Sequence, residues 1–276
     1  MTADKQCTFI IGDENNMASI CAEMLYRDTE FYDRFEKIKA DNADAVEFWR
    51  WANKDINKIK MLKETLDLKI SGFCVDSEDE DRGNLILKNI LTLGLKEEFL
   101  KALKETKKVY DMLGAEFVIV TLGDKIEDIP YEEQLKNIEN CLEFVKLYLE
   151  NNNMTLLLEP INPQERPDYI MSEATPVFEL IKKLDSPNIK MLYDIYHQNM
   201  TGDFDLKEVI RNIDYIGHFH IADVPGRHEP GTGNIDYKKI FEEIVKTSYS
   251  GDFGYEFKPT DSFAINNWRQ YKGEQE

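Results

Sequence analysis

Histidine and cysteine are both scarce in this 276-residue chain, with four of each. Cys7, Cys21, Cys74 and Cys141 lie far apart. They make no C-x-x-C pair and no disulfide-framework spacing, so they read as reduced thiols, mostly in the core. There is no run of about 18 apolar residues, which excludes a membrane-spanning helix. The first residues, "MTADKQCTFIIGDENN", hold one lysine, a very short apolar run and then acids. That is not the pattern of a signal peptide, and a cytoplasmic location is expected. Basic residues are in deficit: 34 Lys and Arg stand against 53 Asp and Glu, a net charge of −19. Such a field repels phosphate backbones and anionic membranes, so neither nucleic acid nor a membrane is expected as partner. Low-complexity segments, Ser/Gly linkers and exact short repeats are all lacking. A homo-oligomer stays open, because no helix surface argues for a particular interface.

What is present is an alternation. Short apolar, β-branched or aromatic runs occur at 19–26, 44–51, 68–76, 115–124, 154–162, 189–197, 216–223 and 252–259. Between them lie Lys- and Glu-rich stretches such as "LKEEFLKALKETKKVYDML" and "YEEQLKNIENCLEFVKLYLE". Their apolar residues recur at i, i+3, i+4 and i+7, the period of an amphipathic helix. Strands that alternate with helices indicate a parallel sheet. Eight units in a chain of this length favour an α/β fold of one kind, a single (β/α)8 TIM barrel. An open doubly wound sheet would normally carry a Gly-rich first βα turn, and "MLYRDTEF" has none. The barrel is expected over 18–262, with 1–17 as an N-terminal extension or extra strand and 263–276 as a C-terminal tail.

In such barrels chemistry sits at the C-terminal ends of the strands. Strand five ends in Glu159, strand six in Asp194 with His197 just beyond, strand seven in His220 and strand eight in Glu256. "LLLEP" and "MLYDIYH" each place a carboxylate at the end of a buried run, where a charge without a partner is costly. Three carboxylates and an imidazole suit one divalent ion, and the oxygen-rich set suits Mn²⁺, Mg²⁺ or Co²⁺. Four separate buried ion pairs are the competing reading, but independent pairs have no reason to share the same strand-end position.

Three of the four histidines, His218, His220 and His228, fall within "HFHIADVPGRHEPGTGNIDY". His218 and His220 are two apart on a strand and face the same way. His220 fits the rim as a ligand, and His218 a deeper position as a core or supporting group. His228 shares a loop with Arg227, within reach of whatever binds the metal. The aromatic run Phe48, Trp49 and Trp51 either walls the pocket or packs in the core. Glu47 reads as a buried polar contact near the site.

The segment "IADVPGRHEPGTGNIDY", with "LLEPIN" upstream and "GYEFKP" downstream, resembles the hydroxypyruvate isomerase family, within the xylose isomerase-like barrel superfamily of sugar isomerases and epimerases. The likeness covers roughly 20 to 260 and is strongest from 156 to 259. It implies that Glu159 binds metal and moves a proton, and that Asp194 and His220 are further ligands. Glu256 then stands as fourth ligand and second acid/base group, while His197 and Arg227 meet substrate oxygens. Hydroxypyruvate isomerases often carry glutamine where this chain has His220; histidine there is similar to the ketose 3-epimerases.

The implied activity is isomerisation or epimerisation of a small carbohydrate or hydroxy-keto acid through a cis-enediolate, with Glu159 and Glu256 as acid and base. Arg227 or Lys258 then pairs with a substrate carboxylate, and Glu165 contacts substrate. For Lys258 a solvated rim position, and for Glu165 a surface-loop position, are the alternatives. A single-metal dehydratase of polyol or dehydroshikimate type is the other enzymatic reading. A non-catalytic sugar-binding barrel ranks below both.

Overall fold

The computed structural model describes residues 18–202 and 204–260. The segments read as an extension (1–17) and a tail (263–276) lie outside the described residues. Eight parallel strands close into a barrel in sequence order, with β1 beside β8. They are β1 (Ala18–Cys21), β2 (Ala45–Phe48), β3 (Lys69–Cys74), β4 (Phe117–Thr121), β5 (Thr155–Glu159), β6 (Ile189–Asp194), β7 (Ile216–Ile221) and β8 (Phe253–Tyr255). Each falls within one of the eight runs expected from sequence except β1, which starts one residue earlier.

Nine α-helices occur among the described residues: α1 (Arg34–Ala40), α2 (Ile56–Leu66), α3 (Glu80–Lys88), α4 (Lys96–Leu113), α5 (Tyr131–Asn151), α6 (Ala174–Leu184), α7 (Ile195–Thr201), α8 (Leu206–Arg211) and α9 (Tyr237–Ile244). None is long and apolar enough to cross a membrane. Aspartate is the recurrent start signal. Asp55, Asp79, Asp194, Asp205 and Asp236 each accept a backbone N–H of the first turn that follows. This satisfies a donor the helix itself leaves free.

Two helices depart from the sequence reading. No helical stretch was expected over 80–88, where Gly83 interrupts the pattern. The run at 189–197 was read as one strand, but it turns into α7 after Asp194, because the carboxylate of that residue caps the new helix through His197 N–H.

The helices pack Phe35, Ile59, Phe99, Leu142, Phe178 and Phe241, all buried, onto the outside of the barrel. Each such side chain contributes about 1.5–3 kcal/mol on burial. A second, smaller cluster of Phe117, Ile119, Leu157 and Leu192 is separate from that core. The ring of Phe117 lies 4.6 Å from that of His218, so an apolar floor underlies the polar groups above it.

Candidate active site

Glu159, Asp194, His220 and Glu256 converge at the mouth. Each offers one ligand atom, and these atoms lie within 4.8 Å of one another. Asp194, His220 and Glu256 are buried, and Glu159 is 9% exposed, which leaves the group approachable from its side. The strands set this up directly. Glu159 and Asp194 are the last residues of β5 and β6, His220 is the penultimate residue of β7, and Glu256 follows β8.

Three carboxylates so close cannot all hold charge without compensation. Arg227 supplies part of it. Its Nη2 contacts Glu256 Oε2 and lies 3.5 Å from Asp194 Oδ2, while its Nε donates to the Glu256 carbonyl at 3.3 Å. Burial raises the Glu159 carboxyl above its ordinary range, and the Glu256 carboxylate adds to the shift. Burial acts on Glu256 in the same direction, but Arg227 and His220 outweigh it and hold that carboxyl below its usual value. His220 is opposed by burial too, yet Glu47 and Glu256 raise it well above the ordinary imidazole range.

These residues fit a divalent cation. The donor set is three carboxylate oxygens and one ring nitrogen, the mixture that hard and borderline ions take. The charge of the set exceeds what Arg227 alone offsets. In addition, His220 Nδ1 is buried with no hydrogen-bond partner, 3.4 Å from Glu256 Oε2 and 3.8 Å from Glu159 Oε1. A buried ring nitrogen aimed at two carboxylates suits a ligand position.

Around this centre the remaining candidates fall into place unevenly. His197 sits in the first turn of α7, buried, with Nε2 3.5 Å from Asp194 Oδ2. Its Nδ1 receives Asn162 Nδ2 at 2.7 Å and the Asn162 backbone N–H at 3.4 Å. A backbone N–H can only donate, and Asn162 Oδ1 is already used by the N–H groups of Gln164 and Glu165. His197 Nδ1 is therefore the acceptor and Nε2 carries the proton. Burial lowers its pKa, which keeps the ring neutral. Sequence reasoning missed Asn162, although it closes the "LLEPIN" motif.

Glu165 and Lys258 form the rim. Glu165 accepts from Tyr196 Oη at 3.0 Å and lies 3.6 Å from Lys258 Nζ and 3.9 Å from Arg227 Nη1. Burial opposes ionisation of Glu165, but Tyr196 and Arg227 hold its pKa below the ordinary value. Lys258 is half exposed and lies past the end of β8. Of the aromatic run, Phe48 stacks on Phe73 and Trp51 donates to Thr106 Oγ1, both in the core. Trp49 alone reaches the site, donating Nε1 to Glu256 Oε1 at 2.8 Å.

The loop after β7 is held by a single buried carboxylate. Asp223 accepts four backbone N–H groups: Val224 and Ile235 on one oxygen, Gly231 and Gly233 on the other, at 2.8–3.1 Å. Gly233 has to be glycine, since a Cβ there would lie 2.1 Å from the Val224 carbonyl oxygen. Arg227 takes the left-handed conformation at φ 60°, uncommon for a side chain of its size. His228, expected near the metal, instead bonds through Nδ1 to the Lys258 carbonyl at 2.7 Å. Glu229 binds Thr260, through its N–H and its hydroxyl. Both residues tie the loop to the segment after β8, which leaves Arg227 pointing inward.

A profile of the xylose isomerase-like TIM barrel family matches residues 35–273. The chain belongs to that family. Among its relatives, hydroxypyruvate isomerase of Escherichia coli K12 is 30% identical over 237 residues, covering 86% of this chain and 91% of the relative. The 2-oxo-tetronate isomerase of Cupriavidus necator H16 is 27% identical over 237 residues, covering 86% and 90%. Among solved structures, AP endonuclease, family 2, from Brucella melitensis superposes with a TM-score of 0.78 at 18% identity, covering 91% of this chain and 96% of that one. At that identity the family barrel alone is shared. The family membership agrees with the likeness carried by "ADVPGRHEPGTG" and "LLEPIN".

Proposed function

We propose that this barrel is an isomerase or epimerase of a small α-hydroxycarbonyl compound, dependent on one divalent cation, Mn²⁺, Mg²⁺ or Co²⁺. The observation that carries the reading is the convergence of two glutamates from non-adjacent strands, Glu159 and Glu256, with Asp194 and His220 on one point. The names of the relatives, hydroxypyruvate isomerase and 2-oxo-tetronate isomerase, support a hydroxy-keto substrate. The net charge of −19 weighs against an endonuclease activity of the kind named for the Brucella melitensis neighbour.

Glu159, Asp194, His220 and Glu256 would hold the cation, whose chemistry when bound is Lewis-acid polarisation of the substrate carbonyl. One glutamate takes the proton from the carbon that bears the hydroxyl, and a cis-enediolate results. Return of that proton to the neighbouring carbon, with the hydroxyl proton passing to the former carbonyl oxygen, interconverts aldehyde and ketone. Delivery of a different proton, held by the other glutamate, to the opposite face of the first carbon inverts it, and leaves the first glutamate protonated and the second ionised. Neutral His197 holds its Nε2 proton and can donate it to an oxygen that gains charge in the enediolate. Arg227 brings positive charge to the same place, fixed by Asp194, Glu256 and the loop organised by Asp223. Trp49 holds one oxygen of Glu256, which restricts the carboxylate to a single orientation.

The test is proton exchange. Chelated protein is reloaded with Mn²⁺, Mg²⁺ or Co²⁺, incubated in D₂O with hydroxypyruvate and a panel of free ketoses, and followed by NMR. Deuterium entering a carbon next to the carbonyl, only when the cation is present, is the expected result. Cation-dependent loss of water without exchange would replace this reading by a dehydratase.

A further inference from the structure

Glu47, on β2, takes no part in the four-residue cluster, yet it is 2% exposed and faces across the barrel to β7. Its Oε2 lies 3.2 Å from His220 Nε2 and 3.4 Å from His218 Nε2. The backbone of β8 closes over this trio. A Cβ at Gly254 would fall 2.2 Å from Glu47 Oε1, 2.6 Å from His218 Nε2 and 2.7 Å from His220 Cδ2. Glycine is required there for the strand to approach the three side chains.

His220 thus has two different faces. Nε2 points down to Glu47, and Nδ1 points up to Glu159 and Glu256. Glu47, His218 and His220 also bring ligand atoms within 4.8 Å of one another, so the trio is itself a candidate for an ion. The two clusters compete for one ring. A ring that binds a cation gives up its second proton to do so and keeps a single lone pair, and whichever nitrogen bears the remaining proton cannot bind the ion. An ionised carboxylate only accepts, so a proton on Nε2 is what Glu47 selects.

We propose that Glu47 is a positioning residue: by accepting the Nε2 proton of His220 it turns the Nδ1 lone pair of that ring toward Glu159, Asp194 and Glu256. This rests on the reading of those four residues as a cation site. His218 Nε2 lies 3.4 Å from the same oxygen of Glu47, a neighbour of that carboxylate without a hydrogen bond to it. Carboxylates placed this way behind a histidine ligand typically contribute 10–100-fold to metal affinity.

The experiment uses the full chain, chelated and then titrated with Mn²⁺, for the wild type, Glu47→Gln and Glu47→Asp. Gln offers both an amide oxygen and an NH₂ group, so it no longer selects the tautomer with the proton on Nε2. Glu47→Gln is expected to weaken Mn²⁺ binding about 10–100-fold. Glu47→Asp, which keeps an acceptor-only group, is expected to retain more affinity than Gln. Equal affinity of wild type and Glu47→Gln, or the reverse order of Gln and Asp, would overturn the proposal. A measurement on unmutated protein guards against misfolded variants: ¹⁵N NMR of the histidine rings with Zn²⁺ bound. A protonated Nε2 and an ion-bound Nδ1 at His220 are expected, and the opposite assignment would overturn the proposal. Two ions per wild-type chain, one of them lost in His218→Phe, would make the trio a site in its own right and equally overturn it. No ion bound by the wild type would instead remove the four-residue cation site, and this proposal with it.

Discussion

The two halves of the barrel differ in what their strands deliver to the mouth. From β5 to β8 the strand ends supply Glu159, Asp194, His220 and Glu256, and the loop after β7 adds Arg227. From β1 to β4 the strands end in Cys21, Phe48, Cys74 and Thr121, none of them charged in its ordinary state. The first half contributes support from the side: Glu47 beneath His220, and Trp49 against Glu256. Burial raises the Cys21 and Cys74 thiols well above their usual value, with nearby carboxylates adding to the shift, so neither is a poised nucleophile. Under the proposed function, one half of the barrel would carry proton transfer, and the other would shape and steady the place where it occurs.

The sharpest way to break this division is substitution at matching strand ends. Glu159→Gln and Glu256→Gln are each expected to lower kcat by at least about 10²–10⁴, the usual worth of a general acid or base. Cys74→Ser, at the end of β3, should leave kcat within a few-fold. Steady-state rates on whichever compound exchanges deuterium compare the three. A loss at Cys74 as large as at the glutamates would erase the division.

Asp223→Ala tests the loop that the second half relies on. It leaves four backbone N–H groups without their acceptor, at about 1–3 kcal/mol for each that water cannot reach. A stability loss of at least about 3 kcal/mol is expected in denaturant unfolding. A near-neutral effect would mean the loop does not depend on this carboxylate.

The charge balance of the mouth gives a smaller, pH-dependent effect. Burial and then Glu256 raise the Glu159 carboxyl, so its protonated form stabilises the fold below the ordinary carboxyl pKa. That contribution is lost as pH rises from about 4.3 upward through the raised value. Cation-free wild type should accordingly lose melting temperature relative to Glu159→Gln across that range, and the two should converge below it. Melting curves from acid to mildly alkaline pH check this. A gap between the two proteins that does not change with pH would contradict the assigned direction. Smallest of all, Lys258→Ala at the half-exposed rim should change stability by no more than about 0.5 kcal/mol. A larger change would give the rim pair with Glu165 more weight than its exposure suggests.

Much of this is legible in the sequence. A carboxylate at the end of an apolar run is too costly to sit there idle, so "LLLEP" and "MLYDIYH" marked Glu159 and Asp194. The alternation of runs marked eight strands. Other features depend on how loops fold back, and no period reports that. Asn162, which sets the His197 proton, is one asparagine in a short loop. Trp49 could not be told from Phe48 and Trp51, its neighbours in one aromatic run, until the chain turned after β2. The sequence places His228 in the loop of Arg227, within reach of whatever binds the metal, but its ring bonds to the Lys258 carbonyl instead. The strand read through 197 stopped at Asp194 because one side chain both caps α7 and faces the site.

The most direct test of the central assignment is a Mn²⁺ titration of chelated protein, followed by the electron paramagnetic resonance of the free ion, for wild type and Asp194→Asn. One ion bound per wild-type chain, with affinity sharply reduced in the variant, is the expected result. Binding that is absent, or that is indifferent to Asp194, would contradict a shared cation site at the ends of β5 to β8.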